Sequence, residues 1–249
     1  MAIDSYRALC SDMYVNLKLA FKVELETGRQ EAMGFFGVLQ KRFPALENFR
    51  YSHDELSIEA GPRTAQQLWA AVRGDCVRAG VVNPASFADA YALHRDVLEF
   101  APAYLGLSNL DIDYYELLFG FDIDAQGDHD QIVFDAVLRG SPLGDLIEEA
   151  GWSPIDTQPV IGVKLTGNGL PRRSEAYFEC KTRPSNPDRM GDREPISVYL
   201  TVRRHGPVED IATPKLELAD LASNGERILD TAVMPRLIQP IRSHIASGG

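Results

Sequence analysis

Cysteine is scarce in this chain of 249 residues: Cys10, Cys76 and Cys180 are odd in number, far apart and without CxxC spacing. That argues against a disulfide framework and a thiolate zinc site, and it fits a reducing compartment. Long apolar runs are missing too. No segment approaches the roughly 18 uninterrupted apolar residues that span a bilayer. The first residues, Met1 to Arg7, hold no basic region leading into an apolar one, so no membrane association and a cytoplasmic location are expected. Basic charge is in short supply. The 25 Lys and Arg against 36 Asp and Glu leave a net charge of −11, which sets the chain against wholesale binding of nucleic acid or anionic membrane. Histidines 53, 94, 129, 205 and 244 are scattered, with no HxxxH or HExxH pair. GxSxG, a Walker loop and the kinase signatures are all lacking, and no cofactor is expected.

What is present is a clear β period. Val15, Leu17, Leu19, Phe21, Val23 and Leu25 alternate with Asn16, Lys18, Ala20, Lys22 and Glu24. Only a strand sends successive side chains to opposite faces, and the two lysines make one of those faces wet, as in an antiparallel sheet. A helix over 33–43 is predicted to stop at Pro44, followed by a hairpin over 49–58. Thr64 reads as the N-cap of a helix through Leu68, Ala71, Val72 and Cys76, and Ser86 as the cap of another carrying Phe87, Tyr91 and Leu98. Residues 107–124 read as one extended segment with a bulge at 116–118. Residues 131–139 suit strand or helix, and 142–150 suit a short helix. A meander of three strands follows at 160–166, 175–182 and 196–204. A closing apolar helix from about Asn224 is expected to kink at Pro235 and Pro240. The fold class is therefore α+β: an antiparallel sheet with helices on one face and an apolar C-terminal helix. A single domain over 1–249 is expected. A subdivision near 101–104, into 1–102 and 103–249, and a diverged duplication of two halves are alternatives.

Three stretches invite chemistry. Asp122, Asp124, Gln126, Gly127, Asp128 and Asp130 imitate the spacing of a calcium loop, but its closing position is Val133 and a strand leads in, so a metal is not expected. Gly167-Asn168-Gly169 has no helix after it to present amides to a phosphate, and reads as a hairpin turn. Cys180 and His205, on strands that a meander would set near each other, hold the residue types of a thiol nucleophile and its base, but a small buried cysteine is the commoner explanation. A basic bias marks the meander: Lys164, Arg172, Arg173, Lys181, Arg183, Arg189, Arg193, Arg203 and Arg204. The candidate binding residues are Arg172, Arg173, Arg203, Arg204 and Lys181, set either to meet a complementary anionic surface or to pair with interleaved carboxylates.

The order of elements resembles a sporadically distributed, uncharacterised bacterial family of single-domain α+β proteins. The resemblance lies in Gln40-Lys41-Arg42-Phe43-Pro44 closing the first strand-and-helix pair, Leu105-Gly106-Leu107-Ser108-Asn109-Leu110 entering the central strand, and the apolar closing helix. Where that family has an Arg-Tyr-Ile-Asn-like run, this chain reads Leu107 to Asp113. The resemblance implies fold and location and brings no reaction with it. With no nucleophile, base and orienter at useful spacing, the function expected is a non-enzymatic binding or protein-interaction module, with a protein partner or self-association. The alternative is an enzyme or small-anion-binding protein whose site lies between sheet and helices, lined by the meander arginines.

Overall fold

The computed structural model describes residues 3–25, 28–52, 54–62, 64, 66–166, 174–182, 194–206 and 214–247. In chain order the strands are β1 (Asp12–Phe21), β2 (Leu46–Ser52), β3 (Glu55–Ala60), β4 (Gln67–Arg73), β5 (Cys76–Val82), β6 (Ile112–Ile123), β7 (Val160–Leu165), β8 (Ser174–Lys181) and β9 (Ile196–His205). The helices are α1 (Ile3–Arg7), α2 (Arg29–Arg42), α3 (Phe87–Leu105), α4 (His129–Val133), α5 (Pro142–Glu149), α6 (Pro214–Ile228) and α7 (Gln239–Ala246). The strands make one antiparallel sheet of nine, in the order β2-β3-β4-β5-β1-β6-β9-β8-β7.

The connectivity of the second half repeats that of the first. After the short α1, each half runs a strand, crosses over through helix, and then forms an antiparallel meander. The last strand of the meander returns to pair with the first, and a long helix follows. The two opening strands, β1 and β6, pair with each other and join the halves.

The alternation in β1 decides which face is dry. Met13, Val15, Leu17 and Leu19 are buried, as are their partners Val77, Ala79 and Val81 on β5 and Tyr115, Leu117, Phe119 and Phe121 on β6. Helices α2, α3 and α6 lie on that side, and one apolar cluster runs from Phe35 and Leu93 through the sheet to Leu221 and Ile241. Gly225 of α6 sits where a Cβ would collide with the Phe119 ring, so the helix lies close on the sheet.

Three local expectations are corrected. Residues 67–82 form the β4–β5 hairpin, not a helix: Ala70, Val72, Val77, Ala79 and Val81 alternate, and Gly74-Asp75 supplies the two-residue turn. The irregularity in the central strand lies by Asp113, where the register with β1 shifts between Ala20 and Phe21, and pairing through 116–118 is unbroken. The closing helix begins at Pro214, and around Pro235 it becomes a π-helical stretch, Leu229–Ile238, whose wider hydrogen-bond spacing accommodates the imino acid.

Candidate functional site

Among the described residues no helix covers the other face of the sheet. The register sets its side chains in rows across the strands, because directly opposite residues in an antiparallel pair share a face. One row reads Arg78, Lys18, Glu116, Arg203, Glu175, Lys164. Arg203 grips Glu116 with Nε at 2.9 Å and Nη2 at 2.6 Å, and its guanidinium lies over the Tyr114 and Tyr177 rings at 4.2 and 5.0 Å. Burial opposes its charge, but the Glu116 carboxylate outweighs that and holds the guanidinium pKa up. Arg78 is paired with Glu55.

Aromatic rings lie flat beside this charged row, each on a glycine directly opposite. Trp69 covers Gly80, Tyr14 covers Gly120, and Tyr177 covers Gly162. A Cβ at Gly162 would stand 2.8 Å from the Tyr177 ring. Glycine is needed at these places so that the ring can lie against the strand.

The three candidate cations among the described residues divide between the two faces of the sheet. Arg203 belongs to the uncovered face, whereas Arg204 turns to the helical side and meets Glu217 of α6 at 2.7 Å, a carboxylate only 3% exposed. Lys181 is on the uncovered face, 3.1 Å from Glu179 and above the Tyr199 ring. Arg172 and Arg173 lie outside the described residues, as does the 167–169 turn. Cys180 and His205 are not brought together. Cys180 is buried beneath the helices opposite Val198, its thiol pushed up to about 12 by burial, while His205 stands at the far end of β9 opposite Tyr114.

The four aspartates of the 122–130 loop work separately. Asp122 accepts from the Ser197 hydroxyl at 2.6 Å and Asp124 from Ser11 at 3.2 Å. Asp128 caps α4, and Asp130 receives the Thr157 N–H at 2.8 Å and the Thr182 hydroxyl. Among the described residues no group of three His, Cys, Asp or Glu is placed to hold a metal ion.

A cavity of about 580 Å³ opens at the end of β9, lined by Lys22, Lys164, Asp113, Glu175 and His205. His205 Nε2 lies 3.2 Å from Glu175, which also accepts from the Tyr177 hydroxyl at 2.7 Å. That hydroxyl, together with His205, holds the Glu175 carboxyl below its usual range despite partial burial. The two lysines are balanced by two carboxylates, so the cavity has little preference for an anion.

The most exposed apolar surface is elsewhere, on the flank formed by α5, the segment after it and β7. Ser141 caps α5 by accepting from the Gly144 N–H. Leu143, Leu146, Trp152, Ile155, Val160, Ile161 and Val163 are all exposed, Trp152 at 66% and Ile155 at 92%. Leu143, Ile147, Trp152 and Ile155 line an open cavity of about 400 Å³ over Phe134 and Leu138. Residues 140–159 include Asp145, Glu148, Glu149 and Asp156 but no lysine or arginine. The nearby Arg139 is held by Asp135 at 2.8 Å and Glu148 at 2.6 Å.

Among the described residues strand β7 ends the sheet. Cys180 N–H donates to the Pro159 carbonyl at 3.1 Å, which fixes the phase of its ladder with β8. Residues 161, 163 and 165 therefore face β8, and the backbone groups of Val160, Gly162 and Lys164 turn outward. Sequence reasoning missed this flank. The available signal was the apolar run at both parities, Val160, Ile161 and Val163, which does not suit a strand with one wet side.

No protein-family model matches this chain, and no curated protein is similar to it. Among solved structures it is similar to the di-domain ARO/CYC BexL from the BE-7585A biosynthetic pathway, with 10% identity over 77% of this chain and 75% of that one and a TM-score of 0.23. A likeness so distant carries no argument. Among the described residues no helix is long and apolar enough to cross a membrane.

Proposed function

We propose that this protein is a non-enzymatic interaction module that receives another polypeptide on the α5–β7 flank. The observation that carries the reading is the concentration of exposed large apolar side chains between Leu143 and Val163. Contiguous apolar surface left in water is costly, and in a folded protein it marks a contact with a partner. Among the described candidate cations, Arg203, Arg204 and Lys181 are each engaged by a carboxylate of the chain itself, which favours the apolar flank over these three as the contact surface.

Site-specific photo-crosslinking in the native host tests the proposal. Ile155 is replaced by benzoylphenylalanine, and Tyr51, also exposed and on the strand at the opposite edge of the sheet, serves as the control position. A light-dependent polypeptide adduct is expected at Ile155 and not at Tyr51, and it should vanish when Leu143→Asp and Leu146→Asp are introduced together. No adduct at Ile155, or equal adducts at both positions, would refute the reading.

A further inference from the structure

We infer that the partner joins the flank as an extended segment, adding a strand to β7, and that basic residues flank its apolar ones. This rests on the interaction reading above and specifies the occupant. Two observations made on different atoms carry it.

The first is the free edge. Val160, Gly162 and Lys164 present outward N–H and C=O groups to which, among the described residues, no strand is paired. An open edge is a template for one more strand, and proteins that must stay monomeric usually blunt it with charge, proline or a bulge. Within β7 the only charge is Lys164, and there is no proline and no break in register. An added strand would lay alternate side chains beside the exposed Ile161 and Val163.

The second is charge. Asp145, Glu149 and Asp156 stand exposed around the apolar residues with no lysine or arginine in 140–159, while Glu148 is taken up by the adjacent Arg139. A second copy docked here about a two-fold axis would bring these carboxylates against their own images, on a chain already at −11. A segment with lysine or arginine beside its apolar core meets the opposite condition. The occupant is therefore a different, basic-flanked polypeptide.

The probe is a short fluorescent peptide alternating valine and threonine between pairs of arginine, with a twin whose arginines are glutamates. Fluorescence anisotropy follows binding to the whole protein. Saturable binding of the arginine peptide is expected, with the glutamate twin at least about tenfold weaker. Lys164→Pro removes one outward donor and no bond to β8, so it should weaken binding by about tenfold or more, whereas Lys164→Ala should not. A Kd above about 1 mM for the arginine peptide, equal binding of the twin, or equal behaviour of the two Lys164 variants would overturn the inference. So would a concentration-dependent dimer through this flank in sedimentation. If the Ile155 adduct persists in Lys164→Pro, the flank docks a partner by its side chains alone, and the strand inference fails while the interaction reading stands. If the adduct is absent from wild type as well, both fail.

Discussion

Replacing Arg204 by methionine separates a recognition role from an internal one. Arg204 Nε lies 2.7 Å from Glu217 Oε2, with the carboxylate side chain 3% exposed and the arginine 23%. Burial already raises the Glu217 pKa and Arg204 pulls it back. Removing the cation leaves a buried carboxylate without its partner, which costs about 3–5 kcal/mol in comparable pairs. The partial exposure of Arg204 puts the expected loss at the lower end, about 3 kcal/mol. Arg204→Met with Glu217→Leu removes both charges, and for a pair with this geometry the double variant is expected within about 1 kcal/mol of wild type or above it.

Urea denaturation at pH 7 gives the three stabilities. The pH dependence supplies a second check. In Arg204→Met the folded-state pKa of Glu217 rises further above its unfolded value. A carboxyl raised in this way contributes stability that is full below the unfolded pKa and lost as pH rises through the folded one. Arg204→Met should therefore recover toward wild type as pH is lowered from 7 toward 5. A loss under about 1 kcal/mol, or a double variant as unstable as the single, would refute an internal role for this pair.

The remaining predictions concern the core and the uncovered face. His94, fully buried on α3 against β1, has its pKa lowered by burial from 6.5 to about 3. Its neutral form is favoured in the fold, so its contribution is present above the unfolded pKa and lost as pH falls through the interval toward 3. Between pH 6.5 and 5 the loss is about 2 kcal/mol, and His94→Leu should flatten that part of the stability–pH curve measured by chemical denaturation; an unchanged slope would refute it. Gly120→Ala places a Cβ in the Tyr14 ring and should cost about 1–2 kcal/mol, but little or nothing in a Tyr14→Ala background. Equal costs in both backgrounds, read from thermal melts, would remove the ring from the glycine.

Much of the fold was legible because it is written in local periods. The alternation from Val15 places β1 in an antiparallel sheet with a wet side, and the meander and the apolar closing helix follow from patterns of the same kind. Residues 67–82 misled because alanine and valine spaced three and four apart suit a helix as well as a strand. Only the pairing of β4 with β3 and of β5 with β1 shows which face of each must be dry.

The candidate site was scarcely legible, and the reason is physical. Arg203 and Arg204 are neighbours in sequence, yet a strand sends them to opposite faces, one to Glu116 and the other to Glu217. By itself the sequence determined that an antiparallel sheet forms, which side of β1 is apolar, and that charge is net acidic, because each depends on residues within one element or on composition. The tertiary structure alone decided that β7 is an edge strand and that the apolar face of α5 meets water. Exposure is not a property of a residue but of what the rest of the chain leaves uncovered, and Leu146 in a buried helix would read the same.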